Sequence, residues 1–229
     1  IIQIACVSWT LTDPETVDRV IFVLGSCDEL SSARVESFDT ETSMIAAFGE
    51  HLVQKDVDIL TGYNSDMFDY PYVFDRARLL QTRVHGRPFC FFLPWCTYGG
   101  SYEMSTTTSN QRGTRQIIQW DMPGVTLLDP LVIFREQEKL RSYSLNAVSE
   151  HFLQDVKDDM PYHMIPQLQA GSTSDRAKIA KYCVQDTDLV RRLINHRQLV
   201  FNLIEMARVL GCTFASVYGQ GQTFKCTRK

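Results

Sequence analysis

Short β-branched runs alternate with stretches of helical periodicity along this chain, and that alternation constrains its fold more tightly than any other feature. Residues 1–8 and 19–24 are apolar and rich in Ile and Val, and residues 34–38 form a weaker third run. Met44, Ile45, Phe48 and Leu52 then recur at helical spacing, with Thr40 or Thr42 as the N-cap. Residues 57–60 make a short buried strand that runs into Thr61-Gly62-Tyr63-Asn64. Pro71 stands where the first turn of a helix reaching Leu80 tolerates it. Residues 125–134 begin strand-like and become helical, and residues 143–153 read as a short amphipathic helix. Residues 175–210 carry one long helical pattern, with Ile179, Cys183, Leu189, Val190, Leu193 and Ile194 on its apolar side. Strands that alternate with helices predict an α/β fold. A length of 229 residues allows one good core and a small appendage.

The regular pattern stops between residues 88 and 124, where four glycines beyond Gly86, a Ser/Thr-rich stretch at 105–109 and scattered aromatics predict a hairpin-like insertion. No apolar run reaches the roughly 18–20 residues of a membrane span. The longest such run, at residues 89–95, is broken by Pro94. The seven cysteines include no CxxC pair, and Cys90 and Cys96 are too far apart for a zinc knuckle, so they read as reduced intracellular thiols. The chain opens inside an apolar run, without an initiator Met or a basic leader, which reads as a truncated chain with no signal peptide. Charge is unevenly spread. Residues 1–58 hold 11 acidic and 3 basic residues, a net −8, and the remainder is +4. That polarity suits a protein that meets phosphate on one side, although charged faces are commonly just solvated.

Two patterns carry chemistry. In the first, Asn64, Phe68, Asp69 and Pro71 lie where a buried strand gives way to a helix, the edge of an α/β sheet where ligands collect. Asp69 at that junction reads equally well as a helix cap. In the second, Tyr182 and Asp186 are four apart and share a helical face, with Arg176, Lys178 and Lys181 in the preceding turns. Taken alone, such a pair is ordinarily a surface hydrogen bond.

Together the two patterns resemble a family. The stretch from Thr61 to Tyr72 resembles the second exonuclease motif of family B DNA polymerases, and Tyr182-Cys183 with Asp186 resembles their third. Between these, Lys139 to Val148 is similar to the family's KLxSYxLNxV stretch, and Glu205-Met206-Ala207-Arg208-Val209 resembles a segment of the replicative enzymes of eukaryotes and large DNA viruses. The resemblance implies a ribonuclease-H-like exonuclease domain with a mixed sheet over residues 1–205, and the start of a link toward a polymerase palm over 206–229, with Gln220 where an Arg is usual. It implies two-metal hydrolysis of a 3′-terminal DNA phosphodiester by a proofreading 3′–5′ exonuclease, with Mg²⁺ as cofactor. On this resemblance Asp69 and Asp186 are metal ligands, Tyr182 orients the attacking water or the scissile phosphate, and Asn64 and Phe68 contact the frayed DNA end. Asp129 falls where the family often has an acid near the site, and an Asp-Pro is equally a turn signal. Partners would be single-stranded or primer-template DNA and further replication subunits, in a nucleus or at a viral replication site, with no membrane.

The family's first motif is Asp-x-Glu on the first, central strand, and Phe38-Asp39-Thr40-Glu41 imitates it. The family follows that motif with two more strands, whereas here only a helix and residues 57–60 separate Glu41 from the second motif. Asp39 and Glu41 are therefore read as helix-entrance residues, and the first strand is expected to be missing from the chain, upstream of Ile1. Its neighbours, residues 1–8 and 57–60, should then face a gap. The rival readings are a stand-alone exonuclease of the same fold and an inactive exonuclease-like scaffold that binds DNA. The Glu205–Val209 segment and the Gln220-Gly221-Gln222 link argue against the first, and the retained acids Asp69 and Asp186 against the second.

Overall fold

A computed structural model describes residues 1–89, 101–109, 113–121, 124–155 and 160–219 of the chain. Strands β1 (Gln3–Ser8), β2 (Asp18–Leu24) and β3 (Arg34–Phe38) form one sheet with β2 in the middle, antiparallel to β1 and parallel to β3. Val20, Ile21, Phe22 and Val23 are all buried, because each face of β2 is covered. Helix α1 (Glu41–Lys55) packs Met44, Ile45, Phe48 and Leu52 with Val20 and Phe22 on one face. Ile21 and Val23 meet Ala180 and Val184 of a later helix on the other. The two-residue period of a strand thus feeds two separate clusters. Thr40 is the cap of α1: its hydroxyl accepts the Ser43 N–H at 3.1 Å, and Asp56 closes the far end in a left-handed conformation.

Strand β4 (Ile59–Thr61) starts two residues later than the sequence predicts and leads to α2 (Asp69–Leu79). A small hairpin, β5 (Arg83–Val84) with β6 (Arg87–Pro88), follows. Within the expected insertion, β7 (Ser101–Ser109) and β8 (Gly113–Asp121) pair antiparallel, and residues 90–100, 110–112 and 122–123 lie outside the described residues. The hairpin leans on α2 through Tyr102, Trp120 and Phe74: the Tyr102 and Trp120 rings are 4.8 Å apart, and the Tyr102 hydroxyl donates to Asp75 at 2.7 Å. Strand β9 (Thr126–Leu128) returns to pair in parallel with β4, Ile59 opposite Thr126. Among the described residues β1 is bonded only to β2 and β4 only to β9, in separate sheets.

Helices α3 (Pro130–Gln137) and α4 (Leu145–Leu153) follow, then a 3₁₀ turn at Tyr162–Met164 and α5 (Ile165–Ala170), neither of which the sequence pattern marks. The single long helix expected over 175–210 is two helices, α6 (Thr173–His196) and α7 (Leu199–Leu210). Gln198 breaks the run with a left-handed φ of 50°, and no Gly or Pro announces the break. Helix α8 (Phe214–Gly219) ends the described chain, so the expected link at Gln220 lies outside the described residues. Val190 and Leu193 of α6 share a cluster with Leu128, Ile133, Phe134 and Val148, which binds the β4–β9 pair to the helical half. The fold is mixed α/β, and no helix among the described residues is long and apolar enough to cross a membrane.

Phe22 is nearly sealed from solvent and has the rings of Phe38, Phe48 and His51 within 6.2 Å of its own. Phe22→Ala should lower the unfolding free energy by about 3–5 kcal/mol. Denaturant unfolding measures this, and a loss below about 1 kcal/mol would remove β2 from the centre of the core.

Candidate active site

The segment between β4 and α2 is held by bonds at residues 61–66. The Thr61 hydroxyl donates to the Leu128 carbonyl at 2.7 Å, locking the ends of the paired strands together. The Tyr63 hydroxyl reaches the Tyr143 carbonyl at 2.7 Å. Gly62 is needed here, since a Cβ at that position would come within 2.7 Å of the Ser65 Cβ. Ser65 in turn donates to the Gly62 carbonyl and accepts the Tyr70 amide, so the loop closes on itself before α2 starts.

Beneath this loop lies Asp129, the residue after β9, almost wholly buried. Its Oδ1 accepts the Asn64 amide and the Leu131 amide, both at 3.0 Å, and the Asp66 amide bonds to the same carboxyl group. Asp129 is therefore both the cap of α3 and a clamp on the loop. Sequence reasoning left it open between a site neighbour and a turn residue. The Asp-Pro step starts α3, and the same carboxylate bonds the loop.

Asp69 opens α2. Solvent reaches the residue, yet the surrounding protein and the nearby Asp129 carboxylate push its carboxyl up to about 6, against a weaker opposing pull from its own backbone amide. Burial also raises Asp129, and the amides of Asn64, Leu131 and Asp66 pull it back down. Next to this acid pair, Phe68 is 68% exposed and Tyr72, one turn on, 55%. Asn64 is exposed as well, in a left-handed conformation at φ 61°. It borders a cleft of about 520 Å³ lined also by Arg135, Arg141, Ser142 and Ser144.

Tyr182 and Asp186 stand half-buried on α6. At 100° per residue Asp186 shares a face with Val190 and Leu193, the residues that cluster with Leu128, Ile59 and Tyr63. The loop thus unites Asn64, Phe68 and Asp69 with Asp129, and α6 carries Tyr182 and Asp186 separately. Among the described residues no three His, Cys, Asp or Glu side chains are grouped to hold a metal ion. The Phe68–Tyr72 exposed pair was absent from the sequence reading as a pair, although its four-residue spacing would have revealed it.

Asp39 and Glu41 belong elsewhere. Asp39 is exposed at the bend before α1, and Glu41, in the first turn of α1, is ion-paired with Arg76. The Arg76 Nε donates to Glu41 at 2.9 Å, and that bond is the main reason the Glu41 carboxyl is held at about 2. Arg76 is in the last turn of α2, about 10 Å of helix from Asp69.

Residues 1–148 match the family described as DNA polymerase family B, exonuclease domain. The chain belongs to that family. It is 34% identical over 225 residues to the DNA polymerase delta catalytic subunit of Schizosaccharomyces pombe, with 98% of this chain and 20% of that protein covered. The DNA polymerase delta catalytic subunits of Drosophila melanogaster and Bos taurus are 34% and 33% identical at the same coverage. The chain thus spans about a fifth of the length of these curated relatives.

The folded-state value of Asp69 lies above the unfolded one, so the native state holds this proton longer. Its contribution to stability is complete below about pH 4 and is lost as pH rises through about 6. Carboxyl ¹³C NMR should give Asp69 a midpoint near 6, and Asp129→Asn should lower it by removing the neighbouring charge. A midpoint near 4 in the folded chain would contradict the acid pair.

Proposed function

We propose that this chain is the 3′–5′ proofreading exonuclease region of a DNA-directed DNA polymerase that acts in replication, and that it removes the 3′-terminal nucleotide of DNA. The observation that carries the reading is the loop after β4, where an acid with a raised carboxyl stands beside an exposed aromatic ring in a chain of this family. Phe68 is suited to stack on the terminal base, because every base has a π-face and the ring is already free of its own core. Asn64, exposed on the same loop, offers an amide to the same strand end. Tyr182 is proposed to orient water or the scissile phosphate, with Asp69 and Asp186 as the acids of the site. In support, the α6 face that bears Asp186 continues into residues packed with Leu128 and Tyr63.

The family resemblance implies two Mg²⁺ ions. Hard carboxylate oxygens such as those of Asp69 and Asp186 are the ligand type that such ions take. Bound there, the ions would polarise the phosphate and lower the pKa of water. The described residues gather too few ligands for a complete pair of sites.

We further propose that the sheet is ribonuclease-H-like. β1 and β4 each carry one bonded edge among the described residues, and an unpaired strand edge is a standing liability. A ribonuclease-H-like sheet would seat its first strand, with the Asp-x-Glu motif, between them. Residues 1–205 would then form the exonuclease domain and 206–229 the start of the link toward the palm. DNA and further replication subunits would be its partners, in a nucleus or at a viral replication site.

The test uses the full-length polymerase and release of the 3′ nucleotide from a 5′-labelled single-stranded oligonucleotide. Asp69→Ala and Asp186→Ala should each slow release by about 10²–10³-fold, the size of loss seen when a transition-state-stabilising group is removed. Asp39→Ala should stay within about threefold of the parent, as expected of an exposed residue away from the site. Silence of Asp69→Ala, or loss of release in Asp39→Ala, would refute this assignment of the acids.

A further inference from the structure

The Asp129 carboxylate makes more bonds than a helix cap needs. Capping α3 takes one bond, the Leu131 amide at 3.0 Å, two residues away in sequence. The second bond, to the Asn64 amide at the same length, spans 65 residues and has no part in α3. A third comes from the Asp66 amide. Oδ1 is therefore shared between the start of α3 and the middle of the loop that ends at Asp69, and Asp129 is almost wholly buried among these donors. Asn64 adopts the left-handed conformation that aims its amide at this carboxylate, a geometry that Asn tolerates better than most residues and that needs a partner to hold it.

We propose that Asp129 is a positioning residue: its buried carboxylate pins the β4–α2 loop through the amides of Asn64 and Asp66, and so sets where Phe68 and Asp69 stand. The inference rests on the exonuclease reading above. The loop has few other ways to hold that shape. Thr61 and Tyr63 anchor its first half to Leu128 and Tyr143, and Ser65 joins Gly62 to Tyr70. Between these anchors, Asn64 and Asp66 hand their amides to Asp129. Without that acceptor, two amides facing a buried pocket lose their partner, and the loop must turn them outward to find water. Such a turn displaces the residues that follow, Phe68 and Asp69, relative to α6. A displacement of about 1 Å at a reacting group is enough to slow catalysis about 10²-fold.

Asp129→Ala and Asp129→Asn in the full-length polymerase test this beside Asp69→Ala. The readouts are kcat and KM for 3′-nucleotide release from a 5′-labelled single-stranded oligonucleotide in Mg²⁺, and hydrogen exchange across residues 61–69. Asp129→Ala should lower kcat about 10²-fold with a smaller change in KM, and should speed exchange at 61–69 while the β2 amides keep their protection. Asp129→Asn keeps an acceptor oxygen and should recover most of the rate and the protection; it carries the test if the alanine variant does not fold. Normal kcat in Asp129→Ala with Asp69→Ala inactive overturns the positioning role and leaves the exonuclease reading intact. Full activity of Asp69→Ala overturns the exonuclease reading, whereas exchange at 61–69 still reports on the pinning. Asp129→Asn as inactive as Asp69→Ala, with the loop amides still protected, also overturns the proposal, because Asp129 would then act on the reacting atoms themselves.

Discussion

The structure depends first on β2 being buried on both faces. A strand with four consecutive sealed side chains cannot exist at a surface, so a layer must lie on each side of it. α1 supplies one layer and the first half of α6 the other. The two helices are more than a hundred residues apart in sequence, and it is this strand that brings them into one body. Because α6 is committed to the sheet through Ala180 and Val184, its second half is aimed at the β4–β9 pair, where Val190 and Leu193 enter the other main cluster. Asp186 lies between those two commitments and has little freedom to be elsewhere.

The second constraint is electrostatic. Two carboxyl groups, Asp69 and Asp129, feel each other's charge, and each is raised by burial. Acids that cost stability in this way persist in folded proteins chiefly where the cost serves a function. Asp129 is compensated by amides from three residues, whereas only its own backbone offsets the shift at Asp69. The less compensated acid is the one that solvent reaches, beside an exposed Phe68.

Features set by neighbours in sequence were legible in advance. A threonine before an apolar helical repeat, Pro71 just inside α2 and the apolar run of β2 each need only a few residues of context; Thr40, of the two threonines read there, is the cap. The loop residues Asn64, Phe68 and Asp69 were visible as a group for the same reason. The pairing of β4 with β9 joins segments 67 residues apart through three-residue strands, too short to carry a periodic signal. Asp129 was left undecided because its role needs that pairing. The α6–α7 break escaped because apolar spacing continues straight through Gln198, a residue that rarely takes a positive φ. Pro161 and Pro166 hid the 3₁₀ turn and α5, since proline reads as interruption even where it opens a helix.

The hairpin of β7 and β8 meets α2 through aromatic rings. Trp120 and Tyr102 grip Phe74 and Tyr70 of α2, and Tyr102 also holds Asp75. The hairpin thus bears on the helix that begins with Asp69. A push on the hairpin would therefore reach α2, whose far end is tied to α1 by the Arg76–Glu41 ion pair.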